Sequence, residues 1–199
     1  TSIFTINAGA KIMMPLYAVM QIDGSLNVNG TPEKPVEILA FSSSSRWGNL
    51  RFNNSTSTIN YASIKDGNRL NGRTPSTNGM IIVNDSSLEI NNSMLWDSEP
   101  IGQTIQINNS TVSINNSSIG DTEKYIVNGP TNFTTGIKIN SGVLNLDNVS
   151  FENLYEGVTA VTANSPIFSA QNITADNFVN VDVPSEPADL FNFSTSTPD

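Results

Sequence analysis

Short apolar alternations recur along this 199-residue chain, with polar residues between them. Five segments align on a shared apolar third position, and these are STINYASIKD, LEINNSMLWD, VSINNSSIGD, LNLDNVSFEN and FSAQNITADN. The aligned positions are Ile59, Ile90, Ile114, Leu146 and Ala170, and Val28 precedes Ile59 at a similar interval. Repetition at such a regular interval predicts about six structural turns of one kind.

Each turn contains a second apolar alternation that ends in a polar pair. The segments are VEILAF at 36–41 with LRF at 50–52, MIIV at 80–83, TIQI at 104–107, GIKI at 136–139 and GVTAV at 157–161. Strands this short, joined by tight Asn turns, do not fit a sandwich of hairpins, and no helical apolar period fills the connections. The pattern predicts an all-β solenoid whose turns pair in parallel, about 4.8 Å apart.

The register predicts columns of equivalent residues. Ile59, Ile90, Ile114, Leu146 and Ala170 form one buried stripe, and Ile64, Leu95, Ile119, Phe151 and Ala175 form a second. Between the stripes lie Tyr61, Asn92, Asn116, Asn148 and Asn172. Asn suits a bend because it tolerates the left-handed conformation, and its amide can bond to an equivalent amide one turn away. We therefore predict a structural ladder of inward-facing Asn92, Asn116, Asn148 and Asn172.

The opening of the chain resembles a known family. Its residues DGSLNVNGTPEKPV, WGNLRF and TINYASIKDG are similar to the first coils of extracellular β-helix proteins of the pectin-lyase-like superfamily. The matching positions are Gly24, Leu26, Val28, Gly30, Thr31, Pro35, Val36, Phe41, Trp47, Gly48, Leu50, Phe52, Tyr61 and Ile64. The resemblance implies a right-handed parallel β-helix, and the repeat predicts about six to seven coils. That fold carries both enzymes and surface scaffolds, so the resemblance leaves function open.

The repeat divides the chain into three parts. Residues 1–23 are predicted to form an N-terminal cap or first coil, and residues 24–183 the parallel β-helix. Residues 184–199 have two interpretations: a C-terminal cap with a tail, or an arm that adds a strand to a neighbouring subunit. The chain starts at Thr1 and not Met, which indicates a mature or excised fragment.

The composition of the chain argues against several classes of function. The net charge is −9 with scattered Lys and Arg, which argues against nucleic acid and anionic membranes. The most apolar stretch, Ile12 to Ile22, contains Pro15 and is too short to span a bilayer. Cys and His are absent, which removes disulfides, thiolate metal sites and the commonest general base. The hydrolase motifs that the resemblance implies (NTD, DD and GHG) are absent too. We predict no catalytic residue.

Three aspartates form a candidate calcium column. Asp66, Asp97 and Asp121 each follow a stripe isoleucine at the same distance along the chain, and Asn153 and Asn177 continue the series. Stacked carboxylates can hold Ca²⁺, whereas in a simpler interpretation each Asp caps its own turn. Calcium is the only cofactor that the sequence suggests, and the simpler interpretation is favoured because no dense D-x-D-x-D loop is present.

Asn-x-Ser/Thr sequons are unusually frequent. Thirteen occur, which is about double the random expectation, and turns that favour Asn and Ser together also raise the count. The predicted glycosylation candidates are Asn29, Asn54, Asn84, Asn109, Asn132 and Asn192. Their use would require an exported protein.

The leading hypothesis is a non-enzymatic extracellular or cell-surface protein of a filament, sheath, surface layer or adhesin. Self-association is expected, because the two ends of a solenoid have matching strand spacing. The alternative is a module that binds or cleaves carbohydrate beside the long turns at 65–79 and 120–135, with Lys65, Arg69, Arg73, Glu123 and Lys124. Trp47 is predicted to lie in the core, and Trp96 is either a core residue or a platform for a sugar ring.

Overall fold

The computed structural model describes residues 2–42, 45–68, 79–98, 102–122, 134–161, 164–176 and 190–194. Within these ranges the chain forms nineteen β-strands. They are β1 (Ile3–Asn7), β2 (Lys11–Met14), β3 (Met20–Ile22), β4 (Ser25–Asn29), β5 (Val36–Ala40), β6 (Leu50–Asn53), β7 (Thr56–Asn60), β8 (Ala62–Lys65), β9 (Gly79–Asn84), β10 (Ser87–Asn91), β11 (Met94–Trp96), β12 (Gln103–Asn108), β13 (Ser110–Gly120), β14 (Thr135–Ile139), β15 (Gly142–Glu152), β16 (Glu156–Val161), β17 (Ile167–Gln171), β18 (Thr174–Asp176) and β19 (Phe191–Ser194).

The strands form two parallel sheets. The larger has twelve strands in the order β1-β4-β7-β10-β13-β11-β8-β5-β2, and β15, β17 and β18 continue it beyond β13. The smaller has seven strands in the order β19-β16-β14-β12-β9-β6-β3. β13 and β15 are long strands that pass through left-handed residues, Asn116 (φ 49°) and Asn148 (φ 53°). The larger sheet is therefore bent into a first part (β1, β4, β7, β10 and the start of β13) and a second part (β2, β5, β8, β11 and the end of β13).

The predicted register is confirmed along both stripes. Val28 pairs with Ile59, Ile59 with Ile90, Ile90 with Ile114, Ile114 with Leu146, and Leu146 with Ala170. The second stripe pairs Ile64, Leu95, Ile119, Phe151 and Ala175 in the same way. Parallel strands from successive repeats therefore stack in register, as the sequence predicts.

One strand assignment differs from the prediction. Val36–Ala40 pairs with β2 and β8 in the larger sheet, whereas MIIV, TIQI, GIKI and GVTAV lie in the smaller sheet. Only LRF, within β6, belongs with those four segments, because Leu50 pairs with Ile81. The alternation in VEILAF is real, but a period of two does not reveal which sheet a strand joins.

The apolar side chains of both sheets meet in one core. Fully buried members include Leu26, Ile59, Ile90 and Phe151 from the larger sheet and Phe52 from the smaller. Outward positions on the same strands are polar, as in Thr56–Asn60, where only Ser57 and Ile59 are buried. β-Branched residues fit this pleated, half-buried surface, and their burial is the main stabilising contribution.

Both ends of the chain contribute strands to the sheets. β1, β2 and β3 lie within the predicted cap or first coil and pair with β4, β5 and β6. Ile12 and Ile22 point into the core from two of these strands, with left-handed Tyr17 between the strands. Near the other end, β19 pairs with β16 of its own chain.

Candidate functional site

An amide ladder runs along the corner where the smaller sheet leads into the first part of the larger one. Asn84 donates from Nδ2 to Asn53 Oδ1 at 2.9 Å, and Asn108 donates to Asn84 at 2.7 Å. Asn140 donates to Asn108 at 2.7 Å, and Asn53 donates to the Asp23 carboxylate at 3.1 Å. Asn53, Asn84 and Asn108 each donate and accept through the side-chain amide, so the bonds join successive repeats end to end. This corner ladder (Asp23, Asn53, Asn84, Asn108 and Asn140) was not predicted.

A second amide ladder lies at the bend of the larger sheet. Asn91 donates to Asn60 Oδ1 at 3.0 Å, and Asn115 donates to Asn91 Oδ1 at 2.9 Å. These three residues form the bend ladder. They occupy one column in the register, with Asn7 and Asn29 before them and Asp147 and Gln171 after them.

The predicted ladder lies one residue beyond the bend ladder. Asn92, Asn116, Asn148 and Asn172 have the predicted left-handed conformation, with φ between 49° and 54°. Their side chains point outward, however, and Asn116, Asn148 and Asn172 are exposed. Asn148 does donate to Asn116 at 2.9 Å, but Asn172 donates to Asp147. A left-handed residue reverses the inward and outward alternation locally, so the preceding Asn of each pair makes the repeated ladder bonds.

A buried serine completes several of the corners, although Gly142 occupies that position after Asn140. Ser86 and Ser110 follow a ladder Asn by two positions and donate to its carbonyl at 2.6 and 2.7 Å. Their hydroxyls also accept the backbone N–H of the preceding repeat, from Ser55 and Ser86, at 3.0 Å. At the bend, Ser93 and Ser117 make the equivalent bonds. The hydroxyl thereby satisfies backbone groups that a sharp corner leaves without a sheet partner.

The corner accounts for part of the sequon excess. Ladder Asn, left-handed residue and buried Ser give N-x-S, which is the sequence at Asn53, Asn84, Asn91, Asn108 and Asn115. In these five the Asn amide and the Ser hydroxyl are both hydrogen-bonded inside the structure. Turns favour Asn and Ser together because both side chains form these hydrogen bonds at each such corner. This supports the simpler explanation for the high sequon count.

The six glycosylation candidates have different surroundings. Asn29, Asn54 and Asn109 are exposed, and Asn109 donates to Asp85 at 2.7 Å. Asn84 is half-buried within the corner ladder. Asn132 and the side chain of Asn192 lie outside the described residues, although the backbone at Asn192 belongs to β19.

The three candidate calcium ligands follow the second part of the larger sheet. Asp97 and Asp121 are buried, and Asp97 Oδ1 accepts the backbone N–H and the hydroxyl of Thr122, each at 2.7 Å. Burial, and then the charge of Asp97, raise the pKa of Asp66, while Arg46 acts in the opposite direction. Asp66 and Asp97 have left-handed backbones, as expected of turn-capping residues. Among the described residues, no three His, Cys, Asp or Glu side chains come close enough to hold a metal.

A shallow groove of about 540 Å³ follows the outer side of the bend. Its lining includes Tyr61, Met94, Ser118 and Ser150, and Thr31 and its neighbouring prolines form part of the wall. Trp96 lies two positions after Met94 on the same outer face, and its Nε1 donates to Ser118 Oγ at 3.1 Å. The groove offers hydroxyls and amides next to a half-exposed indole.

The two tryptophans have different environments. Trp47 is fully buried, as predicted, and donates from Nε1 to the carbonyl of Lys65 at 2.6 Å. Trp96 covers Gly120, where an added Cβ would lie 3.3 Å from the indole. The loop residues Arg69, Arg73, Glu123 and Lys124 lie outside the described part of the chain.

Comparison with known proteins finds no matching family model, curated protein or solved structure. The described residues contain no helix of the length and apolar character needed to cross a membrane. The resemblance of the opening residues to pectin-lyase-like proteins therefore stays a prediction.

Proposed function

We propose that this chain is a right-handed parallel β-helix of six to seven coils that serves as a non-enzymatic structural protein outside the cell. The two amide ladders and their buried serines carry the proposal. The polar side chains of the corner ladder and the bend ladder form hydrogen bonds between repeats, for example from Asn84 to Asn53 and from Asn91 to Asn60. Side chains used in this way reinforce the stack and are not available for a reaction.

Candidate glycosylation sites on the surface support the extracellular location. Exposed sequons occur at Asn29, Asn54 and Asn109, and their glycosylation would require an exported protein. A filament, sheath, surface layer or adhesin would use such a rod as a building unit. Calcium at Asp66, Asp97 and Asp121 is not required for this role.

Electron microscopy of the native material, combined with single-molecule pulling, tests the structural role. We expect rods or ordered arrays, and stepwise unfolding in which successive repeats detach. Turnover of a polysaccharide by the purified chain would contradict the proposal, as would isolated particles that unfold at negligible force.

The groove beside Trp96 supports a second candidate function, a carbohydrate-binding module. An indole next to a row of hydroxyls suits the apolar face and the hydroxyls of a sugar ring. A glycan array with the wild-type chain and Trp96→Ala tests this function, with Phe41→Ala as the control, because Phe41 is an exposed aromatic residue elsewhere. Binding that Trp96→Ala abolishes and Phe41→Ala retains would favour the module.

A further inference from the structure

Each sheet stack ends in strands that have a partner on one side only. Among the described residues, β1, β2 and β3 pair only with β4, β5 and β6. At the other end β17 and β18 pair only with β15, and β19 pairs only with β16. The free edges therefore form two sets of three strands, each set drawn from the same three stacks, and all strands point in the same direction. We call the first set the leading end and the second the trailing end.

The first and last strands of one stack have related sequences. β1 reads IFTIN and β17 reads IFSAQ. Ile3 and Ile167 belong to the same outward column and are 66% and 63% exposed, whereas the column between them contains Ser25, Thr56, Ser87, Thr111 and half-buried Val143. The two end positions of this outward column thus have large, exposed apolar side chains, and four of the five positions between them are polar. This distribution is expected if Ile3 and Ile167 are covered by the same kind of contact.

Residues in the core columns are also exposed to solvent at both ends of the stack. Phe4 belongs to the core column of Leu26, yet it is 58% exposed because no strand of the described chain lies beyond it. At the trailing end two core columns finish in exposed Ala170 and Ala175, and the column of Phe4 finishes in half-buried Phe168. Large residues at the leading end and small ones at the trailing end are complementary in size, since Ile6 and Ile12 are the first members of those two columns.

We propose that the trailing end of one copy of this chain pairs with the leading end of the next, so that β17, β18 and β19 add to β1, β2 and β3. This inference rests on the solenoid of the proposed function and identifies its partner as a second copy. The register places Ile167 beside Ile3, Phe168 beside Phe4, Ala170 beside Ile6 and Gln171 beside Asn7. Asn7 and Gln171 then extend the column of the bend ladder across the junction.

The backbone of β1 is oriented to receive this partner. Ser25 N–H donates to the carbonyl of Ser2 at 2.9 Å, so the even-numbered residues of β1 direct their backbone groups toward β4. The N–H and C=O of Ile3 and Thr5 consequently point to the open side, whereas the C=O of Asn7 accepts the N–H of Ala10 at 3.2 Å. The substitution Thr5→Pro would leave the pairing with β4 intact and block the incoming strand.

Engineered disulfides test the junction and its register, because the chain has no cysteine of its own. In the double variant Asn7→Cys with Gln171→Cys, the two positions lie at opposite ends of one molecule, about 29 Å apart, but about 4.8 Å apart across the junction. We expect oxidation to give a ladder of covalent multimers that reductant removes. The control, Asn7→Cys with Thr174→Cys, places the cysteines in different columns and should give no ladder. No ladder in the first pair, or equal ladders in both, overturns the proposal.

Blocked ends test the polarity of assembly by sedimentation of the full chain. Thr5→Pro and Ala170→Glu should each be monomeric, and their mixture should give dimers only, because each retains the end that the other lacks. If Thr5→Pro does not fold, Phe4→Lys replaces it, with Phe41→Lys as the matched control at another exposed Phe. A folded wild-type chain that stays monomeric, or a single blocked variant that still assembles, overturns head-to-tail pairing. A folded monomer would leave the structural role open, whereas polysaccharide turnover would contradict that role without affecting the disulfide ladder.

Discussion

Three consecutive residues make each corner, and each has a separate task. In Asn108–Ser110, the Asn joins the corner ladder, left-handed Asn109 (φ 46°) turns the chain, and buried Ser110 bonds to the backbone. Asn and Asp reach the left-handed region more easily than other non-glycine residues. Where Ser141-Gly142 replaces the second and third residues, Gly142 has a φ of 110°, and a Cβ there would lie 2.1 Å from the Ser110 carbonyl oxygen. Close backbone approach thus requires glycine at this corner.

Removing a corner hydroxyl should be costly. In Ser110→Ala the Ser86 N–H loses its 3.0 Å acceptor and stays buried. We expect the free energy of unfolding to fall by about 1–3 kcal/mol, as is usual when a buried donor is left without a partner. Urea unfolding measures the change, and Ser87→Ala, at an exposed position, is the control with no expected effect. Equal effects in the two variants would contradict the role assigned to Ser110.

Asp66 should make stability depend on pH. Because its pKa is raised above 3.8, the folded chain binds this proton more tightly than the unfolded chain does. Stability therefore falls as pH rises from 3.8 through the raised pKa. We expect Asp66→Asn to be more stable than wild type at neutral pH, with the difference vanishing at acid pH. Urea unfolding at a series of pH values checks this, and a less stable Asp66→Asn at neutral pH would show that the charge of Arg46 outweighs burial.

At the scale of strands, the sequence revealed the register but not the ladder. Apolar residues that recur once in each repeat identify Ile59, Ile90 and Ile114 as neighbours because only one face of each strand is buried. The predicted ladder is displaced by one position because both members of the pair Asn91-Asn92 are Asn. The sequence alone does not show which of two adjacent Asn side chains contacts the next repeat. That choice depends on which residue takes the positive φ.

The corner ladder should contribute measurably to stability. Asn84→Ala removes one bond to Asn53 and one from Asn108. At a net value of about 0.5–1.5 kcal/mol for each bond, we expect a loss of about 1–3 kcal/mol. Thermal or urea unfolding measures it, with Asn29→Ala as an exposed control of the same residue type. A loss no larger than that of the control would show that the ladder bonds only replace bonds to water.

At the scale of the whole molecule, one core joins two sheets while the outer surface is mostly polar. Among the described residues, the exposed large apolar ones are Ile167 in β17 at the trailing end, Phe41 just after β5, and five residues in or between β1, β2 and β3: Ile3, Phe4, Met13, Leu16 and Val19. The apolar surface that association would bury is therefore concentrated at the ends of the stack more than along its sides. The sequence could not show this concentration, because Ile3 and Ile59 look alike until the pairing of each strand is known.

Glycan occupancy should follow the geometry of the corners. In a host that glycosylates sequons, we expect occupancy at exposed Asn29, Asn54 or Asn109 and none at Asn53, Asn91, Asn108 or Asn115. Asn84, one of the predicted candidates, should also be unmodified, because its amide is bonded in both directions. Mass spectrometry of peptides from the intact chain gives the occupancy of each site. Modification of Asn84 during synthesis would show that the ladder forms after glycan transfer.

The repeats differ in length, and this difference indicates where the chain can accept insertions. The segment between β8 and β9 covers positions 66–78, and the segment between β11 and β12 only positions 97–102, yet Ile81 and Ile105 still pair side by side. Extra sequence between the second part of the larger sheet and the smaller sheet thus leaves the pairing of the strands unchanged. Peptides inserted in these segments would be displayed in a row along one flank, at a spacing set by the backbone and independent of what is inserted.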